Sequence, residues 1–271
     1  MDYRNELAIW VFHLKRGGGH AVVNWIARNL DRQVFHLNNA FSKPWKLRWR
    51  GEKIFRRITD PDRYGAPGQR LFNVELPAGA CYRDVARMPK EVLLTNVENL
   101  PLDRVPSEPM LDEGADRLLG FSRRRQTVLV LRDAHNTFAS VWHGKRRMRN
   151  RLHRFYATQW KAYAREFLGE TSFLPAETVK ISFNAWFTDE RYRRELAAKL
   201  DLDHVDRGID EISKDGGGSS FSGREFQNRA REMAVLDRWR HFIDDPDYIA
   251  AFDEETVDLS RRIFGDVTSR G

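Results

Sequence analysis

The chain has 271 residues, 41% of them hydrophobic and 31% charged, with a net charge of +7 and a pI near 9.6. That length buries one sizeable core, and the balance of residue types is that of a water-soluble globular domain. No apolar run approaches the ~20 residues of a membrane span, and the single cysteine, Cys81, excludes an internal disulfide and a thiolate metal cluster.

Positive charge favours anionic partners: a nucleotide, a nucleic acid, an acidic glycan or a membrane face. The first apolar run follows Asp2, Arg4, Asn5 and Glu6 and has no cleavage site after it, so no signal peptide is expected and the protein is expected to be cytoplasmic.

Taken in chain order, a first strand is expected over residues 7–14. A loop, HLKRGGGH, follows and leads into a helix over 21–30, with Val22, Trp25, Ile26 and Leu30 on one face. A second strand is expected over 33–37. Residues 42–80 hold Trp45, Trp49 and many basic residues, and read as a lid or acceptor-binding insertion. A third strand covers 91–97 and a fourth 127–131, the latter running into a helix marked by Phe138, Val141 and Trp142. Then come a helix over 155–168, a strand over 178–183 and a helix over 192–200. A polar loop at 214–223, KDGGGSSFSG, is either a linker or a segment that closes over a ligand, and a helix is expected over 224–242. Strands alternating with helices predict an α/β fold, a central parallel sheet flanked by helices, formed by one domain spanning 1–271.

Two places in this pattern carry chemistry. The glycine loop joins a strand to a helix, so backbone N–H groups at the helix start point at whatever sits in the loop. Lys15 and Arg16 add positive charge beside Gly17, Gly18 and Gly19. The loop lacks the GxxxxGK-Ser/Thr signature of a nucleoside-triphosphate site, because His20-Ala21 follows the glycines. The second place is the end of the fourth strand. Arg132 stands at its carboxyl edge and Ser140 eight residues later, about two turns into the helix. A guanidinium and a hydroxyl converging at that edge suit a phosphate.

Together, in this order, the two places resemble the sulfotransferases that use 3′-phosphoadenosine-5′-phosphosulfate (PAPS), which have a P-loop NTPase-like architecture. In that family a (Lys/Arg)-Ser-Gly-(Thr/Asn)-(Thr/His) loop holds the 5′-phosphosulfate, and Arg16-Gly17-Gly18-Gly19-His20 stands in its place. A strand-end Arg and a Ser eight residues on hold the 3′-phosphate, as Arg132 and Ser140 would here. The resemblance further implies that Phe183 lies near the adenine and that the 216–223 loop closes over the nucleotide. Ser219 and Ser220 would then be donors and Arg224 a second cation. The resemblance covers about half of the chain. Three departures accompany it: Gly17 replaces a Ser, Ala21 replaces an aromatic, and Glu98-Asn99-Leu100-Pro101 stands where cytosolic members have Thr-His-Leu-Pro.

The resemblance implies transfer of a sulfuryl group to an acceptor hydroxyl, with PAP as the second product and no metal required. Arg16, helped by Lys15 and the amides through Ala21, would stabilise the leaving oxygen. Glu98, His36 and His20 are the candidate general bases. The acceptor is expected to be a hydroxylated molecule, a glycan or another anionic small molecule, held by basic runs at 46–57 and 145–154 with Trp45, Trp49 and Trp142 nearby. No nucleic-acid partner is expected, and the oligomeric state is left open. Three other readings remain at this point: an ATP-dependent kinase-like enzyme, a basic nucleic-acid-binding module, and a degenerate sulfotransferase that binds PAP without catalysis.

Overall fold

The apolar runs become the strands of a single sheet. The computed structural model describes residues 3–38, 69–72, 88–107, 116, 119–144, 146–212 and 218–269. Most of the 42–80 insertion, the basic run at 46–57 with Trp45 and Trp49, Cys81, Lys145 and residues 213–217 lie outside them. The strands are β1 (Tyr3–His13), β2 (Val34–Asn38), β3 (Gln69–Phe72), β4 (Lys90–Glu98), β5 (Phe121–Leu131) and β6 (Val179–Ser182). Their order is β3-β2-β4-β1-β5-β6. Five run parallel, and only β3 is antiparallel, pairing with β2 at the sheet edge.

The side-chain period of a strand is two, so each strand feeds two cores. On one face Leu7, Ile9 and Val11 of β1 join Val34, Val92, Leu94, Val128, Val130 and Ile181. That face is covered by helix α1 (Gly19–Arg28) and by the later helices α4 (Phe183–Thr188) and α5 (Glu190–Lys199). On the other face Ala8, Trp10 and Phe12 join Leu93, Val97, Leu129 and Leu131. Helices α2 (Ala134–Trp142), α3 (Thr158–Leu168) and α6 (Glu254–Phe264) cover it. Both faces of the parallel sheet are therefore buried, as the near-continuous apolar strands require.

Several boundaries differ from the sequence reading. β1 and β5 begin earlier than expected, at Tyr3 and Phe121, because their polar ends extend beyond the buried segment. Residues 152–168 form a π-helical stretch, Leu152–Ala157, that continues into α3. The expected helix over 224–242 is not formed. Its residues make successive i+3 turns and two 3₁₀ segments, Ala230–Glu232 and Arg238–Phe242. Asn228, at φ 66, breaks the helical path. β3 falls inside the insertion, where no strand was expected, and α6 was not anticipated at all. Asp253 caps α6 by accepting from Thr256 N at 2.8 Å. No described helix is long and apolar enough to cross a membrane.

Candidate active site

A crevice of about 240 Å³ opens at the carboxyl ends of β1, β4 and β5, where ligands sit in open α/β sheets. Its walls include Lys15, Arg16, Gly18, Gly19, His20 and Ala21 from the glycine loop, Glu98 from β4, Arg132 after β5, and Phe183 from α4. Ser219, Ser220 and Arg238 complete it. Most of the residues singled out from sequence therefore meet in one cavity.

The glycine loop is shaped by steric need. Gly18 sits at φ +81, and a Cβ there would lie 2.2 Å from the Phe183 ring. A Cβ on Gly19 would lie 2.1 Å from the His13 ring. Both positions exclude any side chain. Gly17, which stands where a Ser was expected, is less constrained: its Cβ would come 3.0 Å from Leu14 O. Arg16 is itself left-handed, at φ 70, and its buried Nε has no partner among the described residues. Asn99 ties the loop down, its side-chain Oδ1 accepting from Lys15 N at 2.8 Å while its backbone N–H donates to His13 O at 3.0 Å. At the start of α1 the amides of Ala21 and Val22 donate to Gly18 O at 2.9 and 3.4 Å, which leaves those of Gly18, Gly19 and His20 for a ligand.

The neighbouring cluster is built around one hydroxyl. Ser140 Oγ donates to Asn136 O at 2.8 Å and accepts from Arg132 Nη1 at 3.3 Å and Arg238 Nη1 at 3.2 Å. Arg238 also donates to Ser219 Oγ at 2.8 Å and to Ser220 Oγ at 3.3 Å. Arg132 is further held by the carbonyl of Val235, and its guanidinium lies 5.3 Å from the Phe183 ring centroid. Its Nε is buried without a partner among the described residues. Burial pushes the Arg132 guanidinium down to about 10. Burial, with Arg132 and Arg16 nearby, pushes Arg238 down to about 9. Two buried cations facing each other, with donors to spare, are chemically suited to an anion of more than one charge.

Beside the loop and this cluster, which meet where Arg132 Nη1 donates to Arg16 O at 3.4 Å, the wall is apolar. Phe183, Trp186, Phe187, Ile209, Met233 and Val235 line it, with Phe183 and Phe187 stacked at 5.9 Å and 20°. That surface suits a flat heterocycle.

Not every expectation lands here. His36 is buried in the middle of β2, 2% exposed, and does not reach the crevice wall. Arg224 is exposed and bonds Gln227. Arg238, which sequence reasoning placed anonymously inside a helix, holds the position given to Arg224. Trp142 is a core residue whose Nε1 donates to Asp245 at 2.7 Å, so it offers no open face to a sugar. Of the basic run, Arg146, Arg149, Arg151 and Arg154 are exposed, Arg149 covering Trp142 at 4.9 Å.

Sequence reasoning also missed His13, Asn38 and Asn96. A readable signal existed: the α1-facing rows turn from apolar to polar at the strand ends, as in Val92-Leu94-Asn96-Glu98. No spacing motif marks a metal site, yet the fold gathers His13, His20 and Glu98, whose ligand-type atoms lie within 4.8 Å of one another. His13 is ill suited to a metal there, because its Nε2 faces Asn96 Nδ2 at 3.1 Å and its Nδ1 faces Leu14 O at 3.2 Å.

The architecture is that of a known fold. Along 97% of its length the chain superposes on 96% of the sulfotransferase domain from the olefin synthase of Synechococcus PCC 7002, with a TM-score of 0.54 and 16% identity. A mouse sulfotransferase, SULT7A1 complexed with PAP, is more distant: TM-score 0.46 and 11% identity over 95% of this chain and 85% of that one. No family model matches the chain, and no curated protein matches it.

Proposed function

We propose that this chain, which has the fold of a sulfotransferase domain, binds PAPS and transfers its sulfuryl group to an acceptor hydroxyl. The observation that carries the reading is a single crevice with two adjoining cationic groups suited to anions. The glycine loop with Arg16 and the Arg132–Arg238–Ser140 cluster adjoin, Arg132 Nη1 donating to Arg16 O at 3.4 Å, and an apolar wall lies beside them. A ligand matching this layout is a nucleoside whose sugar bears two separate phosphates and whose flat base lies along the apolar wall.

When bound, PAPS supplies a sulfuryl group on its 5′-phosphate, ready for in-line displacement. The chain's own residues do the rest. Arg132 and Arg238 bind the 3′-phosphate; Ser219 and Ser220 hold Arg238 in place. Phe183 stacks against the base. Arg16, Lys15 and the amides from Gly18 to His20 stabilise the negative charge that develops on the leaving oxygen. His20 and Glu98 stand on the wall beside that loop, where an acceptor hydroxyl must lose its proton. The acceptor is a hydroxylated molecule, and the exposed arginines of the 146–154 face favour an anionic one, such as a glycan.

A kinase-like reading finds little support. Arg132, rather than an acidic residue, ends the central strand, and the loop lacks the Lys-Ser/Thr pair. Thermal shifts separate the readings, since a ligand stabilises by RT ln(1 + [L]/Kd). PAP should raise the melting temperature, while ATP with magnesium or a short RNA should raise it far less. Arg132→Ala should erase the PAP shift. Stabilisation by ATP–magnesium and not by PAP overturns the proposal.

A further inference from the structure

Five polar side chains continue the apolar rows of one sheet face: His13 on β1, His36 and Asn38 on β2, and Asn96 and Glu98 on β4. The parallel register sets Asn38 beside Asn96 and His13 beside Glu98. Asn96 is the branch point. Its Oδ1 faces His36 Nε2 at 2.9 Å, and its Nδ2 faces both Asn38 Oδ1 at 2.9 Å and His13 Nε2 at 3.1 Å. Asn38 Oδ1 in turn faces His20 Nε2 at 3.0 Å.

Leu14 O can only accept, so it anchors the protons of this network: His13 carries its proton on Nδ1, which donates to Leu14 O at 3.2 Å, and neutral His13 accepts at Nε2. Asn96 therefore turns its amide nitrogen to His13 Nε2 and to Asn38 Oδ1. Asn38 Oδ1 offers only lone pairs, so His20 carries its proton on Nε2. The lone pair of His20 is then on Nδ1, and that nitrogen has no partner among the described residues. Of the three histidines, only His20 lines the crevice with an uncommitted basic nitrogen, because both nitrogens of His13 are taken and His36 is not on the wall. Burial, and then His20 and His36 beside it, push His13 down to about 3, so His13 stays neutral and acts as a fixed acceptor.

Building on the sulfuryl-transfer reading, we propose that His20 is the general base, and that Asn38 and Asn96 are positioning residues that hold it in the Nε2–H tautomer. In the step, the acceptor O–H bond breaks and its proton moves to His20 Nδ1. The acceptor oxygen forms a bond to sulfur as the bond from sulfur to the 5′-phosphate oxygen breaks. The electron pair of that bond leaves on the phosphate oxygen. The products are the sulfate ester and PAP, and His20 passes its extra proton to solvent. Glu98, with its carboxylate within 4.8 Å of the His20 ligand-type nitrogen, stabilises the imidazolium as it forms.

Two measurements on the full chain test this. The first is the ¹⁵N spectrum of histidine-labelled protein, with the His20 signals identified by their loss in His20→Gln. His20 should show the Nε2–H tautomer and His13 the Nδ1–H tautomer. Asn38→Leu should abolish the His20 preference and leave His13 unchanged; an Nδ1–H tautomer for His20 in the unaltered chain overturns the proposal. The second is PAP release from PAPS with water as the acceptor, alongside PAP binding. His20→Gln should slow release by about 10²–10⁴-fold with PAP affinity kept within about threefold. Asn38→Leu should lose about 10–100-fold in kcat, and Asn38→Asp, which keeps the acceptor oxygen, should recover most of it. A His20→Gln variant that binds PAP poorly instead makes His20 a nucleotide ligand and overturns the relay. Unchanged release in that variant does the same. A wild-type chain that neither binds PAP nor releases it from PAPS sinks the sulfuryl-transfer reading itself.

Discussion

At the residue scale, Arg132 and Arg238 share one hydroxyl oxygen, Ser140 Oγ, although both guanidinium groups are buried and repel each other. Such an arrangement costs stability in the free protein and is repaid by an anionic ligand. Charged hydrogen bonds contribute about 1.5–3 kcal/mol each, so Arg238→Ala should weaken PAP binding roughly 10–100-fold in a titration. Arg224→Ala should leave it within about twofold, because Arg224 is exposed and turned toward Gln227. Arg238→Met should raise the melting temperature of the ligand-free chain by removing one buried cation from a pair. His13 sets a pH dependence. Its folded value lies near 3 against an ordinary 6.5, so the unfolded chain binds the extra proton between those limits. Stability is full above about 6.5 and falls as the pH drops toward 3. Denaturation midpoints across that window should slope less steeply in His13→Gln.

At the element scale, the glycine loop and the strand ends do the positioning. Gly18 meets two demands, a left-handed φ of +81 and the near contact with Phe183. Gly18→Ala should therefore cost a few kcal/mol of stability, on the order of one left-handed penalty plus a displaced ring, and should lower PAP affinity as well. Gly17→Ser meets only Leu14 O at 3.0 Å and should be far milder. Comparing the two variants by calorimetry separates loop shape from hydroxyl chemistry. The sheet was legible because its apolar rows are nearly unbroken, and the Arg132–Ser140 spacing was legible because one strand and one helix fix it locally. Arg238 was not legible. It reaches Ser140 from 98 residues away, through turns whose path is set by packing of Met233 and Val235 rather than by any local pattern. The asparagine–histidine chain was missed for a related reason: its members lie on three strands and a helix, and only the parallel register brings them together.

At the scale of the whole molecule, the six-stranded sheet with helices on both faces makes one crevice from the ends of three strands. The net charge of +7 favours anionic partners, and in the proposed reading the buried arginines are where one is held. The central claim is that the crevice grips a nucleotide by two separate phosphates on its sugar. Isothermal titration of the full chain with 3′,5′-ADP, 5′-AMP and 3′-AMP tests it most directly. The two-phosphate site predicts that 3′,5′-ADP binds roughly 100-fold tighter than either monophosphate. Equal affinity for 3′,5′-ADP and 5′-AMP would contradict it, because the Arg132–Arg238 cluster would then hold no phosphate.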